Sequence, residues 1–594
     1  MNAPRTAPFR MPEPLFAELA AGGGSAQAVA FLEQGERARR LLLLRTLLNR
    51  LGDVPTPLTP AAEAWRVFKE AAGRAPGPVE RLLLAPTTGA WIAHLLRRLH
   101  GTATGPELWS EAGRLNTLAV AASLHAGTET VLRVPLHDGT LPLPGLGLAR
   151  LPDAAAGLTE GTARTRAGEL TLTGPGRAGG PASLTCRPAS VPVGEEPPAG
   201  TGWLPLRTLT AGSAAIPLDD LDPYRDLDDP IPPARLDDDE AAAWQRLFDE
   251  ATAILARRPG AGPGRLDPAV IRSVVPWERT GLLPPPPPDV RVSASSGDSY
   301  GAMVIARPSS PLALAEALVH EFQHSKLAAL LHLFPLLDDD RAERHYAPWR
   351  PDPRHLTGLL HGAYAFTGVA GFWRDRLSDP EHRGTAAYHF ALRRTQSRLV
   401  VRTLLTSGRL TADGHGLVGG LARTLDGWLR EPVDPAAAAR ARTAAALHRT
   451  EWRLRNVAPP AHHEPDGHSV PPGGEPVPPP LSAPLRLRTD RAPWPDHRTH
   501  AFALPPTDPA TPDEHLAAGD AAAALAGYDE GLRREPGDPH LLAGWIVARA
   551  ALDRGPGARR LLARPELARP GPARPALARP DLARPEPVRP GPRG

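Results

Sequence analysis

LALAEALVHEFQHSKLAA, residues Leu312–Ala329, is the stretch from which the rest of the chain is read. It contains no Gly or Pro, is rich in Ala and Leu, and follows the turn Pro308-Ser309-Ser310-Pro311. Those features predict a helix with Ser309 or Ser310 as its N-cap. Inside it lies His320-Glu321-Phe322-Gln323-His324. Positions four apart share a helix face, so the two imidazoles converge and Glu321 stands beside them. Neutral imidazoles at that spacing can share one transition metal, and the adjacent carboxylate can act on a metal-bound water or hold a ligand. A chance match of three fixed residues is the bland alternative. The helical context, directly after a strand-like segment, favours a metal site.

Composition sets the outer limits. The 594 residues leave room for about two to four domains, and 73 prolines with 56 glycines imply long loops. The formal charge of +3 gives no argument for a nucleic-acid partner. Arginine supplies almost all positive charge, since Lys69 and Lys326 are the only lysines. The lone cysteine, Cys186, excludes an internal disulfide framework and a Cys-based zinc ribbon. It reads as a strand filler rather than a nucleophile. With no secretion-type apolar run near the start and no span of membrane length, a soluble cytoplasmic protein without membrane partners is expected.

Working outward, helical periodicity over 26–51, 60–72, 76–84, 88–96 and 106–126 makes residues 1–128 a helical module. Short alternating segments separated by Gly and Pro make 129–236 an irregular β-rich region. Its acidic stretch, Leu218 to Asp226, lacks EF-hand spacing and reads as a solvated loop. Residues 237–458 form the metal-binding domain. There, a helix over 238–257 with acidic start and basic end is followed by the polyproline 284–288. A hairpin of 290–294 and 300–305 comes next, then the HExxH helix, and helices over 388–405, 417–429 and 436–457 close the domain. Arg393, Arg394 and Arg398 read as a solvated helical face. A Pro-rich linker, 459–511, contains His462, His463 and His468, which carry no role. A tetratricopeptide-like helix pair occupies 512–560, and an Arg-Pro repeat tail, extended and disordered, occupies 561–594. The fold class is therefore α+β and mostly helical. The hairpin directly before the HExxH helix is the arrangement of zincin-like enzymes, an architectural analogy.

A catalytic metal takes three protein ligands and keeps open positions. The metzincin extension is excluded because Leu327 and Leu330 occupy its Gly and His positions. His332 lies roughly 12 Å further along the helix axis. The next helix, from His355 to Arg376, has no Glu but offers His361 on a small-residue face with Gly358, Gly362, Ala365 and Val369. His361 is the candidate third ligand, with Glu343 and Asp352 as alternatives. Three histidines suit Fe(II) as readily as Zn(II).

HEFQHSKLAALL, followed by HYAPWRPDPRHLTGLLHGAYAFTGVAGFW, resembles the HExxH-motif proteins of actinobacteria that modify ribosomally made peptides, a family of iron-containing, 2-oxoglutarate-dependent peptide β-hydroxylases. The match is specific over about 290–375. The resemblance implies Fe(II) on His320, His324 and His361, with Glu321 at or next to the metal. It also implies a precursor peptide as substrate and a radical-SAM peptide maturase as candidate partner. A 2-oxo acid needs a fixed cation for its distal carboxylate, and Arg350, Arg354 and Lys326 are the candidates. Tyr346, Trp349 and Tyr364 are candidate pocket walls. Two other classes stand beside this one: a zinc metallopeptidase with Glu321 as general base, and a binding module without catalysis.

Overall fold

The computed structural model describes residues 10–195, 202–212, 214–227, 229–281, 292–458, 486–490, 494, 502–553 and 555–568. The polyproline segment, the histidines of the linker and nearly all of the Arg-Pro tail lie outside them. The chain divides into two compact units, one from 1–349 with 353–441 and one from 350–352 with 442–594. Among the described residues no helix is long and apolar enough to cross a membrane.

In the first unit α1 (Glu13–Ala20), α2 (Ala26–Leu51), α3 (Ala61–Arg74), α4 (Pro76–Leu84), α5 (Pro86–Leu99), α6 (Leu108–Ala112) and α7 (Arg114–Ala126) come first. Strands follow: β1 (Thr130–His137), β2 (Thr140–Leu143), β3 (Gly147–Arg150), β4 (Leu158–Arg166), β5 (Glu169–Pro175), β6 (Pro181–Cys186), β7 (Val191–Pro192), β8 (Trp203–Pro205), β9 (Arg207–Ala211) and β10 (Ala214–Leu218). Then come α8 (Asp238–Ala256), β11 (Ser273–Pro276), β12 (Ser293–Ala294), β13 (Ala302–Ile305), α9 (Pro311–Leu333), α10 (Leu356–Arg374), α11 (Arg383–Leu405) and α12 (Ala412–Leu429), while α13 (Pro435–Asn456) begins in the first unit and has most of its length in the second. The class is α+β and mostly helical, as the periodicities indicate. The stretch 106–126 breaks into α6 and α7 at Gly113, where a Cβ would lie 2.4 Å from Leu58 and 2.8 Å from Pro135.

The strands read as one irregular region belong to two sheets. One is antiparallel, in the order β6-β5-β4-β1-β2-β3-β8. The alternating burial of β4 and β5 places Ala163, Leu170 and Leu172 in a core shared with α3, α5 and α7. The helical module and this sheet are therefore two sides of one apolar layer. The other sheet is mixed, in the order β12-β13-β11-β10-β9-β7. β10, β11 and β13 run parallel, and β12 pairs antiparallel with β13 at its edge. The connection from β10 to β11 contains α8, whose Asp237 and Glu240 form a capping box. Trp244, Phe248 and Leu255 of α8 join Met303, Ile305, Leu318 and Phe322 in the second core. That core also takes in Leu19 and Leu32, so α1 and the first turns of α2 pack with the metal-motif helix.

The acidic stretch is not a solvated loop. Asp219, Asp220, Asp222 and Asp226 are all buried. Asp219 accepts from the backbone N–H of Leu221 and Asp222, Asp220 from Leu236 and Arg235, and Asp222 from Tyr224 and Arg114. The carboxylates replace water with backbone donors and with arginines distant in sequence, which composition alone cannot reveal.

The second unit contains α14 (Pro512–Ala518), α15 (Ala521–Arg534), α16 (Pro539–Leu552) and α17 (Pro556–Ala563). Tyr528 of α15 packs on Gly544 of α16, and its hydroxyl donates to Asp513. Arg453 forks onto the buried Glu566 at 2.6 and 2.9 Å.

In the first unit Arg40 is fully buried and donates to Glu36 at 2.7 Å and to the carbonyls of Leu83 and Ala85 at 2.8 and 2.6 Å. Arg40→Met leaves the buried Glu36 carboxylate with only the long 3.4 Å bond from Arg39, an effect of up to about 3–5 kcal/mol. Thermal unfolding should show a clear loss for this variant, partly restored when Glu36→Leu is added.

Candidate metal centre

Ser310 caps α9, accepting from the N–H of Ala313, and Pro311 opens its first turn. α9 then passes through the interior, with residues buried on every face, including Glu316, Glu321, Gln323, Ser325 and Lys326. His320 and His324 are the partly exposed exceptions at its centre. Their Nε2 atoms face each other at 3.1 Å. Burial, reinforced by each other's proximity, pushes the His320 imidazole well below its usual range, and burial draws His324 down to about 4. Both rings are therefore neutral at physiological pH, the state in which imidazole donates to a metal.

Glu321 is buried, and its Oε1 accepts from Ser293 Oγ of the edge strand β12 at 2.6 Å. The same oxygen lies 4.0 Å from His320 Nε2, and Oε2 has no hydrogen-bond partner. Burial pushes this carboxyl up to about 7, against the opposing pull of the serine hydroxyls of Ser293 and Ser295. β12 thus holds the carboxyl that the helix presents.

His361 of α10 approaches His324 from the other side, with Nδ1 to Nδ1 at 3.4 Å and the ring centroids at 5.5 Å. Burial draws it down to about 3. The three histidines expected as ligands are brought together, but His324 presents a different nitrogen to each neighbour. Among the described residues no three His, Cys, Asp or Glu side chains surround a common point. The small-residue face of α10 does allow close packing. A Cβ on Gly368 would meet Gln323 at 2.3 Å, and one on Gly362 would meet the Trp349 indole at 2.3 Å.

Aromatic rings flank the histidines. Phe366 meets His320 edge-on at 4.9 Å and lies against Trp349 at 4.6 Å. Behind it on α11 is Arg393, its guanidinium carbon 4.4 Å from the Phe366 centroid and its Nη1 bonded to Gln396 at 2.9 Å. Arg393 and Arg394 are buried, so this part of α11 is not the solvated face its charge pattern suggests. Arg394 donates instead to the carbonyls of Trp428 and Glu431. Arg398, partly exposed, forks onto Asp426.

The expected cosubstrate cations occupy other places. Lys326 is buried and donates to the carbonyl of Gly23 at 2.6 Å, and burial draws its ammonium down to about 7. It belongs to a clamp on the turn between α1 and α2. Tyr364 donates to Leu19 at 2.9 Å, Thr424 to Ala21 at 3.1 Å and Gln323 to Gly22 at 2.7 Å. Tyr364 is accordingly a buried support and not a pocket wall. Gly22 and Gly24, with φ of +87° and +150°, let the turn's carbonyls present themselves to these donors. Arg354 pairs by backbone with His345, and its side chain lies over Gly358 at the start of α10. Arg350 belongs to the second unit and is ion-paired with Asp352 at 3.0 Å. Glu343 is exposed.

Compared with protein-family models and with curated proteins, the chain matches none.

Two stability outcomes follow from these supports. Lys326→Met leaves the Gly23 carbonyl without its donor, an effect of about 1–3 kcal/mol; a lowered melting temperature with unchanged metal stoichiometry is expected. Asp339 accepts from Thr357 N, Thr357 Oγ1 and His355 Nδ1 at 2.9, 2.7 and 2.6 Å, anchoring the start of α10. Burial opposes ionisation, but these hydrogen bonds outweigh it and hold the carboxyl below the usual range. A depressed folded pKa stabilises above the unfolded value and is lost as pH falls through the folded one. Asp339→Ala should therefore lower the melting temperature at neutral pH and flatten its acid dependence below about pH 4.

Proposed function

We propose that the first unit is an Fe(II)- and 2-oxoglutarate-dependent oxygenase that hydroxylates a β-carbon of a ribosomally made peptide. The observation that carries a metal site is the facing Nε2 pair of His320 and His324 at 3.1 Å. These two nitrogens would hold the metal. Two neutral imidazoles beside one carboxyl are also the donor types that non-haem iron enzymes use. Two of the three histidines that the resemblance implies, His320 and His324, thus supply donors of a type that suits iron, while His361 stands at the other nitrogen of His324. When bound, Fe(II) with a 2-oxo acid supplies the oxidising chemistry for breaking a peptide C–H bond.

The remaining work is done by the chain. Ser293 fixes Glu321 by hydrogen bonding to Oε1. His361, facing Nδ1 of His324, fixes the tautomer that leaves Nε2 as the donor. Phe366 and Trp349 keep one side of the imidazole pair apolar. Among the described residues β12 is the last strand of its sheet and runs antiparallel to β13 ahead of α9, an edge that suits an extended peptide. A second reading, a zinc peptidase, draws on Glu321 itself. A carboxyl raised to about 7, with Oε2 unpartnered, is a competent general base at neutral pH.

Anaerobic addition of Fe(II) and 2-oxoglutarate separates the two. The oxygenase reading expects a weak visible charge-transfer band, absent in His320→Ala. Tight zinc occupancy, no band and cleavage of a generic peptide would establish the peptidase instead. In the same titration His361→Ala should weaken metal binding on the order of ten- to a hundredfold, the effect of losing an orienting partner. Complete loss, matching His320→Ala, would make His361 a ligand.

A further inference from the structure

Glu321 stands beside the imidazole pair, and what holds it comes from outside its own helix. Its Oε1 accepts from Ser293 Oγ at 2.6 Å. The hydroxyl of Ser295, which shares a side with Ser293 in an extended segment, pulls on the same carboxyl. Both serines belong to a strap, residues 293–301, that runs along α9. Beyond the serines, Gly297 lies against α9, where a Cβ on it would meet Ala328 at 3.5 Å and His332 at 3.7 Å. The N–H of Gly301 donates to Ser325 Oγ at 3.2 Å. Positions 321, 325, 328 and 332 recur at helical spacing, so the strap covers one face of α9, next to the face that carries His320 and His324.

The other side of the strap is tied to the helical module. Asp298 Oδ1 accepts from Arg39 Nη2 of α2 at 2.9 Å, and its Oδ2 accepts from Arg97 Nη1 of α5 at 3.2 Å. The Asp298 carbonyl oxygen packs so closely on α5 that a Cβ on Gly89 would lie 2.1 Å from it. The N–H of Asp298 donates to Ser296 Oγ at 3.2 Å, which tightens the turn. One partly exposed ion pair contributes little, because two flexible side chains lose freedom to form it. Here a single carboxylate takes a guanidinium from each of two helices that pack on one another, which fixes the turn in direction as well as distance. A slide of the serines along α9 stretches both bonds.

We propose that Asp298 is a positioning residue for the metal centre. Acting through Ser293 and Ser295, it fixes Glu321 against the imidazole pair, and it makes the setting of that carboxyl depend on α2 and α5. The assignment rests on the metal-centre reading and applies to the oxygenase and the peptidase alike.

The test is an anaerobic Co(II) titration of the full chain, followed by the visible bands of the bound ion, with thermal unfolding of the metal-free chain measured alongside. Co(II) accepts imidazole and carboxylate donors and so serves under either reading. Asp298→Ala should weaken Co(II) binding about three- to tenfold, less than the loss of a direct orienting partner. In a Ser293→Ala/Ser295→Ala background the same substitution should change the affinity less than about twofold, because the contact it acts through is gone. Arg97→Met removes the more exposed of the two guanidiniums. It should show the same pattern in smaller measure, and it carries the test if Asp298→Ala does not fold. Equal loss in both backgrounds, or an affinity not lowered in Asp298→Ala whatever its melting temperature, overturns the assignment and leaves the metal centre standing. A wild-type chain that binds no Co(II) overturns the metal centre, and the assignment falls with it.

Discussion

A helix buried on every side must nevertheless present polar groups, and the first unit is built around that conflict. α9 runs beneath the mixed sheet and against α2, α8 and α10, so each polar residue on it needs a partner inside the protein or an opening to solvent. Ser325 accepts from the N–H of Gly301, Gln323 and Lys326 reach back to the turn before α2, and Glu321 accepts from β12. In its central turns His320 and His324 are the polar residues left partly exposed, each kept neutral by its surroundings. The candidate metal centre is the place where this helix is left uncovered.

The supports reach far along the chain. The turn at 19–24 receives side-chain donors from α9, α10 and α12, and its own N–H at Gly24 donates to Ala261 at 2.8 Å. The edge strand that fixes Glu321 belongs to a sheet whose order interleaves strands before and after α8. Two imidazoles on one helix thus owe their setting to segments hundreds of residues apart. This is how a fold gives fixed geometry to groups that short-range structure alone leaves loose.

The sequence pattern carried the elements well. α2 spans the residues that its Leu and Arg spacing indicates, and α8 begins at its acidic cap. The His320–His324 juxtaposition was legible because i and i+4 must share a face. What stayed hidden depends on partners distant in sequence. Lys326 stood out as a rare lysine, which suggested a ligand, yet its ammonium serves a backbone carbonyl. Arg393 and Arg394 carry the charge pattern of a wet surface, and only the packing of α10 and α12 against α11 buries them. Asp219 to Asp226 misled for the same reason: local composition records charge, and the compensating arginine or N–H is elsewhere.

The clamp on the turn at 19–24 also dictates an order of assembly. The donors that hold these residues, up to Thr424, are made some three to four hundred positions after them. Until then α1 has α2 but not α12 to pack on, and the apolar side of α9, once made, lacks part of its cover. The contact closes one of the longest loops in the unit, the kind of non-local pairing that slows folding. Nascent chains should therefore pass through a stage in which the turn at 19–24 is untethered and α9 is sticky, when a chaperone matters most.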